Sequence, residues 1–104
     1  MSAATPSERR RVGLAFGAAL RAARKDRGMT QEQLADAAGI DRTFPTLLER
    51  GLRTPTLSTL LRLAEALGIS AEALVEDTRS HMSQPHAASS PGGTISPPKK
   101  VGQV

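Results

Sequence analysis

The sequence contains no cysteine, no tryptophan and no tyrosine, and its aromatic side chains are Phe16 and Phe44 alone. Without cysteine there are no disulfides, no thiolate zinc sites and no thiol nucleophiles. No apolar run approaches the roughly 18 residues that would span a bilayer. Met1 to Arg11 is not followed by an apolar segment of the secretory kind, so a cytoplasmic location is expected. Also missing are a Gly-rich phosphate loop followed by Lys-Ser/Thr and any metal-ligand spacing. The two histidines, His81 and His86, fall in a polar C-terminal stretch. Catalysis needs groups held within hydrogen-bond reach of one another, and the carboxylates are scattered over helix starts and outer faces. The chain is therefore read as neither an enzyme nor the holder of a metal or cofactor.

What is present favours helices. Leu, Ala, Glu and Arg dominate, and β-branched residues are few. A length of 104 residues allows one domain with a thin core. The formal net charge is +4 and the isoelectric point is near 10.7. Basic side chains gain by displacing counterions from phosphates, so the charge suggests nucleic acid or an anionic surface as partner. The charge is uneven. Arg9, Arg10, Arg11, Arg21, Arg24, Lys25 and Arg27 precede residue 28, against Glu8 and Asp26 as the acids there.

Three regions are legible. Residues 1–7 are small and polar and are read as a flexible start. Residues 8–78 carry helical periodicity. Residues 79–104 are rich in Pro, Gly and Ser and poor in large apolar residues, so they are read as a disordered tail. Five helices are expected within 8–78. The first runs from Arg9 to Arg27, with Val12, Phe16, Leu20 and Ala23 inward and Gly28 as its stop. Gly13 and Gly17 either weaken it or permit close packing. The second opens on a capping box, Thr30-Gln31-Glu32-Gln33, and stops at Gly39. The short turn Gly39-Ile40-Asp41 forces a steep crossing into the third, which is the helix-turn-helix geometry. Asp41 is the expected cap of the third helix, which ends at Gly51. The fourth is capped by Thr56, has Leu57, Leu60, Leu61, Ala64 and Leu67 on its apolar face, and ends at Gly68. The fifth, Ala71 to Glu76, is capped by Ser70.

The order and spacing of several fragments then become recognisable: Leu20-Arg21-Ala22-Ala23-Arg24, Gly28-Met29-Thr30-Gln31-Glu32-Gln33-Leu34-Ala35, Ala38-Gly39-Ile40, Leu48-Glu49-Arg50-Gly51, Pro55-Thr56-Leu57 and Leu63-Ala64-Glu65-Ala66-Leu67-Gly68-Ile69. From Phe16 to Val75 the chain resembles the Cro/repressor-like, or xenobiotic-response-element, helix-turn-helix family. The resemblance implies an all-α, five-helix bundle that binds double-stranded DNA, usually as a homodimer, in bacterial or phage transcriptional control. The third helix would be its recognition helix. Asp41-Arg42-Thr43-Phe44 and Leu48-Glu49-Arg50-Gly51 also look like the restriction-modification controller proteins within that family.

By this resemblance Arg42, Thr43 and Thr46 point at base edges. Arg can donate a bidentate pair to guanine, and Thr offers a hydroxyl and a methyl. Contact by Arg42 with phosphate alone is the plainer alternative, as is a capping role for Thr43. Leu47 either meets a thymine methyl or belongs to the core. Gln31, with Thr30 and the free amides at the start of the second helix, would clamp a phosphate. Arg50, Arg53 and Thr54 would meet further phosphates, or else carry solvated polarity. Arg24 and Glu49 are expected to form an internal ion pair. Leu74 and Val75 are the expected dimer contact.

Pro45 stands where relatives carry an ordinary helix former. With Asp41 as cap, its ring would crowd the Asp41 carbonyl. The expected resolution is a helix beginning near Phe44, with Arg42 and Thr43 in an extended lead-in. Two other functions compete. An antitoxin or controller would add a protein partner, engaged through the tail at Ala87–Val104, although apolar anchors there are sparse. Membrane-surface binding by the basic first helix is disfavoured by its glycines and the absence of tryptophan.

Overall fold

The computed structural model describes residues 5–83. Five α-helices follow one another: α1 (Pro6–Asp26), α2 (Gln31–Ala38), α3 (Phe44–Glu49), α4 (Leu57–Leu67) and α5 (Ala71–Ser83). No strand occurs among the described residues. The fold is the all-α five-helix arrangement expected.

α1, α2, α4 and α5 each begin where a side chain can satisfy the free amides. Thr5 caps α1 through a reciprocal box: the Glu8 amide donates to Thr5 Oγ1 at 3.1 Å, and the Thr5 amide donates to Glu8 Oε1 at 2.9 Å. Pro6, with no N–H to lose, takes the first helical position. The first helix therefore starts at Pro6 rather than Arg9 and absorbs part of the stretch read as flexible. Residues 1–4 lie outside the described residues. Thr30 and Gln33 form the expected box at α2, and Thr56 caps α4.

α5 also runs further than expected, to Ser83 rather than Glu76. No Gly or Pro interrupts Asp77 to Ser83. Thr78 is buried, and its hydroxyl donates to the Leu74 carbonyl at 2.9 Å, so a polar residue is accommodated without ending the helix. Residues 79–83, assigned to the tail from composition, are thus helical, and His81 stands on α5. The remaining tail, 84–104, with His86 and the partner segment expected at Ala87–Val104, lies outside the described residues.

The core joins Phe16, Ala19 and Leu20 of α1 to Leu34 and Ala38 of α2, Leu48 of α3, Leu63, Ala64 and Leu67 of α4, and Leu74 of α5. α5 packs along α1, and α2 and α3 pack together beneath α4 and α1 respectively. Two expected stripes are shifted. On α1, Val12 is exposed and the buried side is Gly13, Ala15, Phe16, Gly17, Ala19 and Leu20. On α4, Leu57 and Leu61 face outward at 70% and 52% exposure, while Leu63 is fully buried. The leucines of α4 exceed what one inward stripe can hold, and the surplus is displayed.

Gly17 sets how closely α1 approaches α3. A Cβ there would stand 2.5 Å from the Leu48 carbonyl oxygen and 2.7 Å from that of Glu49. Of the two readings of the α1 glycines, close packing is the one realised.

Candidate nucleic-acid interface

α2 stops at Gly39, whose left-handed backbone (φ 69°) lets the Ile40 amide reach back to the Ala35 carbonyl at 3.0 Å. Ile40 then packs against the core. The chain re-enters a helix only at Phe44. Between them Asp41 organises a turn: its Oδ1 accepts from the Thr43 amide at 2.8 Å and from the Thr43 hydroxyl at 2.6 Å. Its carbonyl accepts from the Phe44 amide at 3.0 Å. These bonds hold the Asp41 carboxyl below the usual aspartate range, with the Thr43 hydroxyl as the main cause and its amide next.

Asp41 is therefore a turn former and not the cap of α3. Thr43 occupies the cap position, in a helical conformation (φ −87°, ψ −12°) and without a side-chain capping bond. Arg42 and Thr43 lie on a hydrogen-bonded turn rather than in an extended lead-in. Pro45 falls in the first turn of α3, where helix amides have no intrahelical acceptor, so its missing N–H leaves no bond unmade. The Phe44 amide, and not residue 45, meets the Asp41 carbonyl, which removes the expected clash.

Beneath the turn lies a polar junction of three helices. Arg24 grips Glu49 in a fork, Nε to Oε2 at 2.6 Å and Nη2 to Oε1 at 3.0 Å, and Nη1 donates to the Met29 carbonyl at 2.8 Å. The side chains are 11% and 4% exposed. The hydrogen bond to Glu49 holds the Arg24 guanidinium above its ordinary value, against the opposing pull of burial. Gln31 Nε2 donates to Glu49 Oε1 at 3.1 Å, and the Thr46 hydroxyl donates to Gln31 Oε1 at 2.7 Å. The junction ties the end of α1, the start of α2 and the body of α3 into one unit.

Around it the candidate contact residues are displayed unequally. Arg42 and Thr43 are exposed, and Arg42 pairs with Glu32 in the first turn of α2. Thr46 and Leu47 are half-buried. The Thr46 proton is committed to Gln31, which leaves its oxygen as acceptor and its methyl for contact. Gln31 is half-buried and engaged on both amide atoms. Thr30 is exposed, and its side chain is occupied by the Gln33 amide. Arg50, Arg53 and Thr54 are exposed on the segment from α3 to α4. Leu74 is fully buried in the monomer core and has no surface to offer a partner; of the expected dimer pair, only Val75 faces outward. The sequence reading missed the Gln31 bonds and the Arg42–Glu32 pair. Opposite charges ten residues apart across a turn were the only signal for the pair.

Helix-turn-helix proteins share a family pattern that matches residues 20–74, more than half of the chain. The chain belongs to the Cro/C1-type helix-turn-helix family of transcriptional regulators. A family relative, an uncharacterised helix-turn-helix-type regulator of Sinorhizobium fredii, is 44% identical over 55 residues, covering 53% of this chain and 71% of that one. The immunity repressor of Bacillus phage phi105 is 42% identical over 62 residues, covering 60% of this chain. This helix-turn-helix chain spans only 43% of that repressor's length. Among solved structures, the clp gene regulator ClgR of Corynebacterium glutamicum superposes with a TM-score of 0.70 at 31% identity, over 75% of this chain and 83% of that one. The restriction-modification controller protein C.Esp1396I, solved as a tetramer on its natural 35 base-pair operator, gives 0.63 at 27% identity, over 68% and 93%. Pro6 to Ala19 of α1 precede the family match.

Proposed function

We propose that this chain is a sequence-specific DNA-binding repressor that reads an inverted repeat as a homodimer, with α3 in the major groove. The observation that carries the reading is the three-helix junction. It fixes the start of α2 and the body of α3 in one rigid unit, with Arg42 and Thr43 exposed at its edge. A recognition helix must be held to within fractions of an ångström for bidentate base contact, and a buried ion-pair network does this without occupying the outward face. Arg42 and Thr43 then read bases, with Thr46 and Leu47 bordering them. Thr30, Gln31, Arg50, Arg53 and Thr54 lie against phosphates through amides and side chains. For Gln31 the available group is its backbone amide at the start of α2, because its side chain serves the junction.

The dimer face would be the groove of about 790 Å³ between α1, α4 and α5, where exposed Val75 lies with Val12, Leu60 and Met82, and Glu8, Arg9, Arg11 and Arg79 supply charge. A second copy would cover this surface and set two copies of α3 one helical turn of DNA apart, about 34 Å. The protein would act in the cytoplasm, on the nucleoid when bound.

Fluorescence anisotropy on duplex from the chain's own upstream region, against scrambled duplex across a salt series, tests the reading. Preferential, salt-sensitive binding with two chains per site supports it. Equal weak binding to both duplexes, or none at low salt, rejects it for that DNA or altogether. A second reading, as a restriction-modification controller that assembles on its operator, is favoured by the likeness to C.Esp1396I. A stoichiometry of four chains per operator would select it.

A further inference from the structure

We infer that the cleft between the N-terminal half of α1 and the segment joining α3 to α4 holds a DNA backbone phosphate, with Arg10 as a donor that the helix-turn-helix unit itself does not supply. The inference rests on the DNA-binding reading above and extends the contact surface beyond residues 20–74. The cleft has a volume of about 550 Å³, and Arg9, Arg10, Arg50, Arg53 and Thr54 are among the residues around it. No carboxylate is among its lining residues. Arg10 from α1 and Arg50 and Arg53 from the segment joining α3 to α4 thus border one hollow, and the repulsion among these three is relieved when an anion enters.

The hollow has a fixed shape. α1 is seated directly on the end of α3 by its glycines: a Cβ on Gly13 would stand 3.0 Å from the Gly51 carbonyl oxygen, and one on Gly17 would collide with Leu48 and Glu49. Gly51 itself has a left-handed backbone (φ 75°), and a Cβ there would stand 2.7 Å from the Leu14 side chain. The distance from α1 to Arg50 and Arg53 is therefore set by backbone contact rather than by mobile side chains. Leu14 and Leu52, both about half exposed, give the hollow an apolar floor on which the arginine stems can lie with their guanidinium groups outward.

A guanidinium fork suits phosphate and carboxylate alike. Nucleic acid is the favoured source because Arg50 ends α3 and Arg53 follows it closely. A duplex read by α3 passes beside the cleft, and its phosphates recur along the strand. An acidic peptide is the competing occupant.

The test uses the full chain with R10A, R53A and, as a control for lost charge, R62A; Arg62 is exposed on α4, away from the cleft. Binding to a labelled duplex and to a labelled poly-glutamate peptide is measured across a salt series. Melting temperatures are recorded to verify folding, which the exposure of Arg10 predicts to be unchanged. Loss of one phosphate contact lowers the slope of log affinity against log salt by about 0.9. R10A and R53A are each expected to show this decrease on specific and scrambled duplex alike, while R62A keeps the wild-type slope. A wild-type slope in R10A overturns the inference and leaves the DNA-binding reading standing. So does an R10A loss confined to poly-glutamate. A wild-type protein that binds no duplex at all overturns both.

Discussion

Gln31, at the first position of α2, accepts a hydrogen bond from Thr46 of α3 at 2.7 Å and donates one to Glu49 at 3.1 Å. One side chain thereby links the start of α2 to two positions on α3. Glu49 is held in turn by Arg24 from α1. Strength in this junction resides in the buried charges, and its geometric value resides in Gln31.

Glu49→Ala is expected to destabilise the domain by about 3 kcal/mol or more, because it strands a nearly buried Arg24 guanidinium. For a domain of this size that corresponds to a fall in melting temperature of roughly 12 °C or more. Glu49→Gln, which retains one acceptor for Arg24, should lose less. Thermal unfolding followed by circular dichroism measures both. A melt of Glu49→Ala that overlays the wild type would refute the structural role.

Gly17→Ala inserts a methyl into the α1–α3 contact, 2.5 Å from the Leu48 carbonyl oxygen. Backbone cannot rotate away as a side chain can, so the helices must separate, at a cost of about 1–3 kcal/mol. Gly28→Ala meets no atom within 4 Å but forces alanine into a left-handed backbone at φ 68°, at a cost of about 1–2 kcal/mol. Both should lower the midpoint of urea unfolding. Only the first should also weaken DNA binding per folded molecule, because it moves α3.

Asp41 has its folded carboxyl held below the ordinary aspartate value by Thr43. A carboxylate lowered in the folded state binds fewer protons there than when unfolded. Its contribution is thus fully present above the unfolded value, near pH 4, and is lost as pH falls through the lower folded value. Comparison of wild type with Asp41→Asn should show a constant stability gap from neutral pH down to about pH 5, narrowing in more acid solution. A gap that widens with acid would contradict the assigned role.

Arg42→Ala should leave stability within about 0.5 kcal/mol of wild type, since its pair with Glu32 is exposed on both sides. Its effect should appear in recognition. Loss of one bidentate base contact removes about 1–3 kcal/mol of discrimination at one base pair, read as relaxed preference at that position in a binding-site selection. A uniform loss across all sequences would place Arg42 on phosphate.

The helix-turn-helix was legible because its punctuation is local. Thr30-Gln33, Gly39, Thr56 and Gly68 each fix a helix end through bonds spanning a few residues, and their positions agree with the structure. The Thr5–Glu8 box is equally local, but Pro6 and the small residues around it read as a frayed end. The lead-in to α3 was misread because two local rules compete at Asp41: capping a helix, and turning onto its own Thr43. Pro45 decides the contest by moving the start of the helix to Phe44. The outward leucines of α4 could not be told from inward ones by spacing, since Leu57, Leu60 and Leu61 all fit a helical stripe. What separates them is which side of α4 meets α2 and α5, a property of the assembled bundle.

Leu74 is unavailable to a partner, so of the expected pair the proposed dimer would use exposed Val75. Val75→Asp places a charge on that face while leaving the buried core residues untouched. Burial of a carboxylate in an interface costs desolvation even with Arg9, Arg11 and Arg79 around the same groove, whereas on a free monomer surface it is nearly neutral. If the proposed dimer forms through Val75, sedimentation velocity should show the variant as a folded monomer at concentrations where the wild type self-associates, with helicity and melting behaviour preserved. DNA binding should then shift to a weaker, single-site isotherm. A Val75→Asp protein that still sediments as a dimer would move the interface to another face of the bundle.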